Sequence, residues 1–165
     1  MKKIAIFPGS FDPFTVGHES IVRRAIPIFD QIIISIGHNT SKKSFFSEEK
    51  RKELIERVFE NEKSVSVEIY DGLTVQFCKQ RKSKYILRGL RTSADFEYER
   101  PIAQVNKALE TDIETVYLLT LPEHSSISSS IVKEILKYQG DVSKFVPQVI
   151  KEELENNKTI YNKKI

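Results

Sequence analysis

Apolar residues in this chain gather into five short runs, KKIAIF, QIIISIG, SVSVEIY, KYILRG and ETVYLLT, at residues 2–7, 31–37, 64–70, 84–89 and 114–120. They are rich in β-branched residues, and several are nearly continuous rather than alternating. That is the pattern of strands covered on both faces. Between the runs the spacing turns helical. Residues 17–29 carry Ile21, Val22, Ala25 and Ile26, and Pro27 predicts that this helix stops or bends there. Ser47 predicts an N-cap, with Glu48 and Glu49 in the first turn and Leu54, Ile55, Val58 and Phe59 following. Residues 93–109 and 128–138 read the same way, with Gly140 as a helix stop, and TVQFCKQ at 74–80 reads as one face of a helix. Strand and helix alternate, so the pattern predicts an α/β fold, a parallel sheet of five strands wound with right-handed crossovers. There is no internal repeat or low-complexity linker. One domain is therefore expected over residues 1–157, with a polar tail at 158–165 that is partly disordered.

Composition narrows this only a little. The chain has 165 residues, enough for one domain to bury most of its apolar surface. No apolar run approaches the length of a membrane span, and the run in MKKIAIFPGSF stops at Pro8-Gly9, too soon for a signal peptide. Net charge is +3 with the signs well mixed, which permits anionic ligands and predicts no binding to nucleic acid or membrane. The lone Cys78 excludes an intramolecular disulfide and suits a reducing compartment, hence a cytoplasmic protein; it reads as a buried small hydrophobe. Three scattered histidines and no CxxC predict no dedicated metal site.

Ligands of such sheets bind at the carboxyl ends of the strands. The segments that follow the five runs are PGSFDPFTVGH, GHNTSKK, YDGLT, RGLR and LPEHSSISSS, and together they are rich in phosphate-binding chemistry. In the first, Gly9-Ser10 offers backbone N–H groups and a hydroxyl, and Gly17-His18 begins a helix whose N-terminus favours an anion. The alternative is a plain turn with a histidine near a helix start. In the second, Lys42 or Lys43 could aim an ammonium at a phosphate, or both could be solvated loop lysines. In RGLR, Arg88 and Arg91 suit a phosphate clamp, or are surface arginines paired with Asp95 or Glu99. Five serines lie within residues 125–130, where capping one helix needs one; the surplus suits an anion at that helix start. YDGLT reads equally as a simple turn.

PGSFDPFTVGH resembles the (T/H)xGH signature of the nucleotidyltransferase superfamily. SKK near residue 42, ILRGLRTSADFEYE at 86–99 and SSISSSIVKEI at 125–135 resemble one branch, the phosphopantetheine adenylyltransferases. The likeness runs from residue 3 to about 150, and the RGLR…DFEYE block is its most specific part. It implies a Rossmann-like, doubly wound sheet with helices on both faces. It implies transfer of AMP from ATP to 4'-phosphopantetheine, giving dephospho-CoA and pyrophosphate in coenzyme A biosynthesis. By resemblance His18, Ser10, Lys42 and Arg91 are catalytic. ATP is held by Ser10, Phe11, His18, Gly89, Leu90, Arg91, Tyr98, Glu99 and the stretch His124, Ser125, Ser126, Ile127, Ser128, Ser129 and Ser130. Ser10, Lys42, Leu73, Thr74 and Arg88 hold the acceptor. Glu99 is assigned to a ribose hydroxyl or a supporting arginine. The resemblance further implies Mg²⁺ carried with ATP, CoA as a feedback inhibitor and assembly as a homo-hexamer. Two departures stand out: His124 replaces an aromatic that many members carry, and Val16 fills the variable position of TxGH.

The nucleophile in this reaction is a phosphate oxygen, ionised at neutral pH, so no general base is required. Catalysis reduces to positioning and charge stabilisation, with His18 as a hydrogen-bond donor to the α-phosphate. Its protonation state is left open, because the helix end lowers its pKa and phosphates raise it. The rival readings are a superfamily transferase using CTP or nicotinamide mononucleotide, a non-catalytic nucleotide sensor, and a nucleic-acid-binding module.

Overall fold

The computed structural model describes residues 2–38, 44–157 and 161. Each apolar run forms a strand: β1 (Ile4–Gly9), β2 (Gln31–Gly37), β3 (Val65–Tyr70), β4 (Tyr85–Leu90) and β5 (Glu114–Leu119). The helices are α1 (Val16–Ala25), α2 (Glu48–Val58), α3 (Thr74–Gln80), α4 (Ser93–Leu109), α5 (Ser129–Lys137) and α6 (Gln148–Asn156). The sheet is parallel throughout, in the order β3-β2-β1-β4-β5. Strand order reverses between β1 and β4, and that junction opens the crevice where doubly wound sheets bind ligands.

Alternation within the strands divides the core in two. Ala5, Phe7, Ile32, Ile34 and Leu87 face one layer with Ile21, Val22, Leu54, Ile55, Val132 and Ile150. Ile6, Ile33 and Ile86 face the other with Val75, Phe77 and Cys78 of α3. Helices therefore cover both faces. The cover is complete over β1 and β2 and thinner at β5, where Val116 to Leu118 are half-buried and Leu119 is exposed.

Local signals set the helix ends. Thr15, Ser47, Thr92 and Ser128 cap their helices by accepting a backbone N–H three residues on. α1 ends at Ala25, ahead of Pro27, as expected. Past α5 the left-handed residue is Gln139 (φ 57°), not Gly140. Gly140 N–H reaches back to Ile135 O at 2.9 Å, and Gln139 N–H to Leu136 O at 2.9 Å. This is the paired bonding of a Schellman stop. Cys78 is buried, and burial pushes its thiol up to about 12, so it remains a protonated core residue at neutral pH.

Candidate active site

The opening loop turns on its phenylalanines. Gly9 ends β1 with the Phe11 ring directly above it: a Cβ there would lie 2.7 Å from Phe11 Cζ, so only glycine fits. Phe11 holds a left-handed backbone (φ 49°), and the Asp12–Pro13 bond is cis. Phe7, Phe11 and Phe14 are buried around the His18 ring, at 6.4, 5.1 and 5.3 Å between centroids. An apolar cage thus holds the one polar ring of the segment.

His18 is also part of its helix cap. Its N–H donates to Thr15 Oγ1 at 3.3 Å, while Thr15 N–H donates to His18 Nδ1 at 3.0 Å. The imidazole fills the role that glutamate plays in an ordinary capping box. Nδ1 can accept that bond only when it carries no proton, so the neutral ring carries its hydrogen on Nε2. Burial, then the nearby charges of Arg88 and Arg91, lower its pKa to about 3. His18 is therefore neutral at pH 7, with Nε2–H as the donor it has left to offer.

Both arginines are paired, as the alternative reading had it, and both still line the cavity. Arg88 lies in β4 beside Gly89. Its Nε donates to Glu99 Oε2 at 2.9 Å, its Nη2 to Glu99 Oε1, and its Nη1 to Pro8 O at 2.5 Å. Three of five N–H donors are thus used, which orients the fork and leaves two for an anion. Glu99 is buried in α4 and serves as the supporting carboxylate. Arg91 donates from Nε and Nη2 to Asp95, both at 3.0 Å, and from Nη1 to Ile127 O at 3.4 Å. Arg91 lowers the Asp95 pKa against the upward push of burial.

The start of α5 closes the third side. Ser128 caps the helix, and Ser129 Oγ donates to Pro13 O at 2.8 Å, tying α5 to the opening loop. Ser125 Oγ donates to Pro122 O at 2.8 Å. Three of the five serines thus have structural partners, and Ser126 and Ser130 make no side-chain bond among the described residues. His124 lies beside the start of α1: a Cβ on Gly17 would stand 3.7 Å from His124 Cβ.

Two cavities result. The first, about 290 Å³, is lined by Ser10, Phe11, His18, Arg88, Gly89, Arg91, Tyr98, Glu99, His124, Ile127, Ser128 and Ser129. The second, about 230 Å³, has Gly37, Tyr70, Thr74, Ile86, Ile102 and Asn106 on its walls. Pro8, Gly9, Arg88, Tyr98 and Glu99 border both. Of the other expected residues, Leu90 is buried and lines neither cavity; Ser125, Ser126 and Ser130 are exposed outside the first. Leu73 is exposed at the start of α3, and Thr74 Oγ1 lies 2.9 Å from Tyr70 Oη. Lys42 falls outside the described residues. Sequence reasoning passed over Thr120 of the first cavity and Tyr70, Ile102 and Asn106 of the second. Period-3.6 spacing of Ile102 and Asn106 with Tyr98 and Glu99 was the available signal.

Residues 6–135 match the cytidylyltransferase-like family. A phosphopantetheine adenylyltransferase of Cytophaga hutchinsonii is 51% identical over 150 residues, 91% of this chain and 100% of the relative. That of Flavobacterium johnsoniae is 52% identical over 147 residues, 89% of this chain and 96% of the relative. That of Leptospira biflexa is 48% identical over 154 residues, 93% and 96% respectively. With half its residues shared over nearly the whole length, and the signature residues gathered round one crevice, the chain belongs to the phosphopantetheine adenylyltransferase family.

Proposed function

We propose that this crevice transfers AMP from ATP to the phosphate of 4'-phosphopantetheine, releasing pyrophosphate and dephospho-CoA. The observation that carries the reading is the pair of cavities meeting at Arg88. The first offers a neutral donor, two arginines and a helix start to a nucleotide. The second, with Ile86, Ile102 and Ala103 among its walls, suits a long, mostly uncharged arm. An acceptor phosphate at the junction meets the free donors of Arg88, with Ser10 and Lys42 completing its cradle. Arg91 and the Ser128–Ser129 turn hold the leaving pyrophosphate. His18 donates from Nε2 to the α-phosphate as charge builds there.

Among the described residues the carboxylates of the crevice, Glu99 and Asp95, each hold an arginine. The chemistry needs no base. Among the described residues no three His, Cys, Asp or Glu side chains are grouped to hold a metal. Mg²⁺ is proposed to arrive with the ATP substrate, on the ground of its preference for phosphate oxygens over protein cages.

Assembly is part of the same reading. α4 exposes Phe96, Tyr98, Ile102, Val105 and Leu109, and α4 buries only Glu99. So much apolar area on one helix supports self-association into a closed oligomer, here a hexamer. Feedback by CoA, which contains the acceptor's phosphopantetheine arm, and a cytoplasmic location complete the proposal. No helix among the described residues is long and apolar enough to cross a membrane.

The test is pyrophosphate release from ATP with 4'-phosphopantetheine, with pantetheine and with no acceptor, repeated with CTP. Release that requires both ATP and the phosphorylated acceptor is expected. Equal rates with pantetheine, or preference for CTP, would overturn the assignment.

A further inference from the structure

The turn YDGLT, residues 70–74, reads in sequence as a simple link, yet it sets two hydroxyls side by side on the wall of the second cavity. Gly72 makes the turn with a left-handed backbone (φ 84°), and its N–H donates to Asp71 Oδ1 at 2.8 Å. Thr74 thereby opens α3 beside the last residue of β3, with its Oγ1 2.9 Å from Tyr70 Oη.

Tyr70 is held from several sides. Its carbonyl accepts His38 N–H at 2.8 Å, which ties the end of β3 to the end of β2. Its ring stacks on buried Phe77 at 4.8 Å between centroids, with 25° between the planes. The Arg81 guanidinium lies over Phe77 at 5.0 Å, and its Nε donates to Glu68 at 2.8 Å. Gly37, the register partner of Tyr70, lies against the hydroxyl: a Cβ there would stand 3.7 Å from Tyr70 Oη. The phenol oxygen is thus fixed at the carboxyl end of β2, on the ligand edge of the sheet.

The two hydroxyls carry two protons, and the bond between them uses one. Among the described residues neither side chain makes another hydrogen bond, so one O–H is left for an occupant of the cavity. The only charged groups on these walls are Arg88 and Glu99, which pair with each other. Beyond that pair an occupant meets apolar Ile86, Ile102 and Ala103 and uncharged polar groups. We infer that Tyr70 is a specificity-determining residue for the acceptor: it donates its hydroxyl proton to an amide carbonyl of the arm. Thr74 is its positioning residue, donating to Tyr70 Oη and so aiming the phenol proton into the cavity. Tyr70 is the outer donor because a phenol is the more acidic hydroxyl and its ring is clamped, whereas the Thr74 hydroxyl turns about one bond. Two bonds running in the same direction polarise each other and strengthen the outer one. This rests on the acceptor site proposed above and names what reads the arm rather than the phosphate. Neither residue lines the first cavity, so the effect is confined to the acceptor.

The test measures KM for 4'-phosphopantetheine, kcat, ATP Kd and Tm for Tyr70→Phe, Thr74→Val and the double variant in the full chain. Tyr70→Phe keeps the ring and its stack. It is expected to raise the acceptor KM about tenfold, the effect of one hydrogen bond lost to a carbonyl, with kcat and ATP Kd within about twofold. Thr74→Val keeps the side-chain shape and is expected to raise that KM about threefold. The double variant should match Tyr70→Phe within about twofold, because Thr74 acts through Tyr70. If Tyr70→Phe fails to fold, Thr74→Val decides alone: a raised acceptor KM with unchanged ATP Kd supports the inference, and an unchanged KM overturns it. An unchanged acceptor KM in folded Tyr70→Phe would show a purely structural residue and overturn the inference. So would equal losses for ATP and acceptor, a larger loss at Thr74 than at Tyr70, or losses that multiply in the double variant. A wild-type protein that releases no pyrophosphate with the acceptor would instead overturn the functional assignment itself.

Discussion

The two sides of the first cavity present hydrogen-bond donors of opposite kinds. On the side of the opening loop, His18 offers a donor without charge. Its ring is caged by phenylalanines, fixed by Thr15 N–H, and held neutral by burial and by the arginines opposite. On the β4 side, Arg88 and Arg91 offer full charges, each already engaged by a carboxylate. A paired arginine meets phosphate in the ground state and in the transition state alike, so it mainly supports binding. A neutral, preset donor gains most when charge concentrates on the oxygen it faces, so it mainly supports turnover. On the proposed reaction, kcat should therefore depend on one wall and affinity on the other.

The largest expected effect tests the neutral wall. His18→Ala should lower kcat by about 10²–10³, the usual loss for one such donor, roughly 3–4 kcal/mol. ATP affinity should stay near native. The substitution also removes the capping bond to Thr15 N–H, so single-turnover AMP transfer and equilibrium ATP binding are to be read on protein shown to be folded. A kcat within a few-fold of wild type would erase the distinction between the walls.

The charged wall should respond in the other quantity. Arg91→Ala is expected to weaken ATP binding about ten- to hundredfold, since a charge-assisted bond contributes about 1.5–3 kcal/mol. It should change acceptor binding far less. The substitution leaves Asp95 unpaired beside the triphosphate, so part of the loss is repulsion. Arg91→Ala combined with Asp95→Ala should recover that part, and the cycle separates the two contributions. Calorimetry with each ligand alone decides it. A larger loss for the acceptor would mean that the roles of Arg88 and Arg91 are exchanged.

What could be read from the sequence was what short range decides. Ser47 was legible as a cap because a cap bonds within three residues, whereas which of the five serines at 125–130 caps α5 was left open until the structure gave Ser128. β1, β2 and β4 were legible because parallel strands in mid-sheet are apolar on both faces. β5 has the same apolar run yet lies half-buried, because pattern alone does not distinguish an edge from a centre. Asp95 and Glu99 were both legible as arginine partners; the i,i+4 spacing gives Arg91–Asp95, while only the fold, which brings a strand end against a helix turn, gives Glu99 to Arg88. The tautomer of His18 could not be read at all. It follows from one backbone N–H placed 3.0 Å from Nδ1 and from burial by three rings distributed over the loop. The burial of Tyr161 was hidden for the same reason: the rings it packs against, Phe45 and Phe46, lie more than a hundred residues away.

The smallest effect, read per pH unit, concerns protons. His18 has its folded pKa near 3, against 6.5 for the free side chain. The unfolded chain therefore binds a proton between those values that the folded chain refuses. Stability linked to His18 is complete above pH 6.5 and is lost progressively as pH falls toward 3. The slope cannot exceed one proton, about 1.4 kcal/mol per pH unit. His38 has the opposite sign. Its hydrogen bond to Glu48 raises its pKa, so its contribution is full below 6.5 and fades as pH rises through the raised value. Carboxylates also titrate in acid, so the His18 share must be isolated by difference. His18→Gln suits this, because a glutamine at that position can still accept Thr15 N–H, as in an ordinary capping box. Denaturant unfolding of wild type and His18→Gln at pH 8, 7, 6, 5 and 4 should show the wild type losing stability faster below pH 6, by up to that slope. The two curves should run parallel above pH 7. Parallel curves down to pH 4 would mean that His18 takes up its proton in the folded state, and that both walls of the cavity are charged.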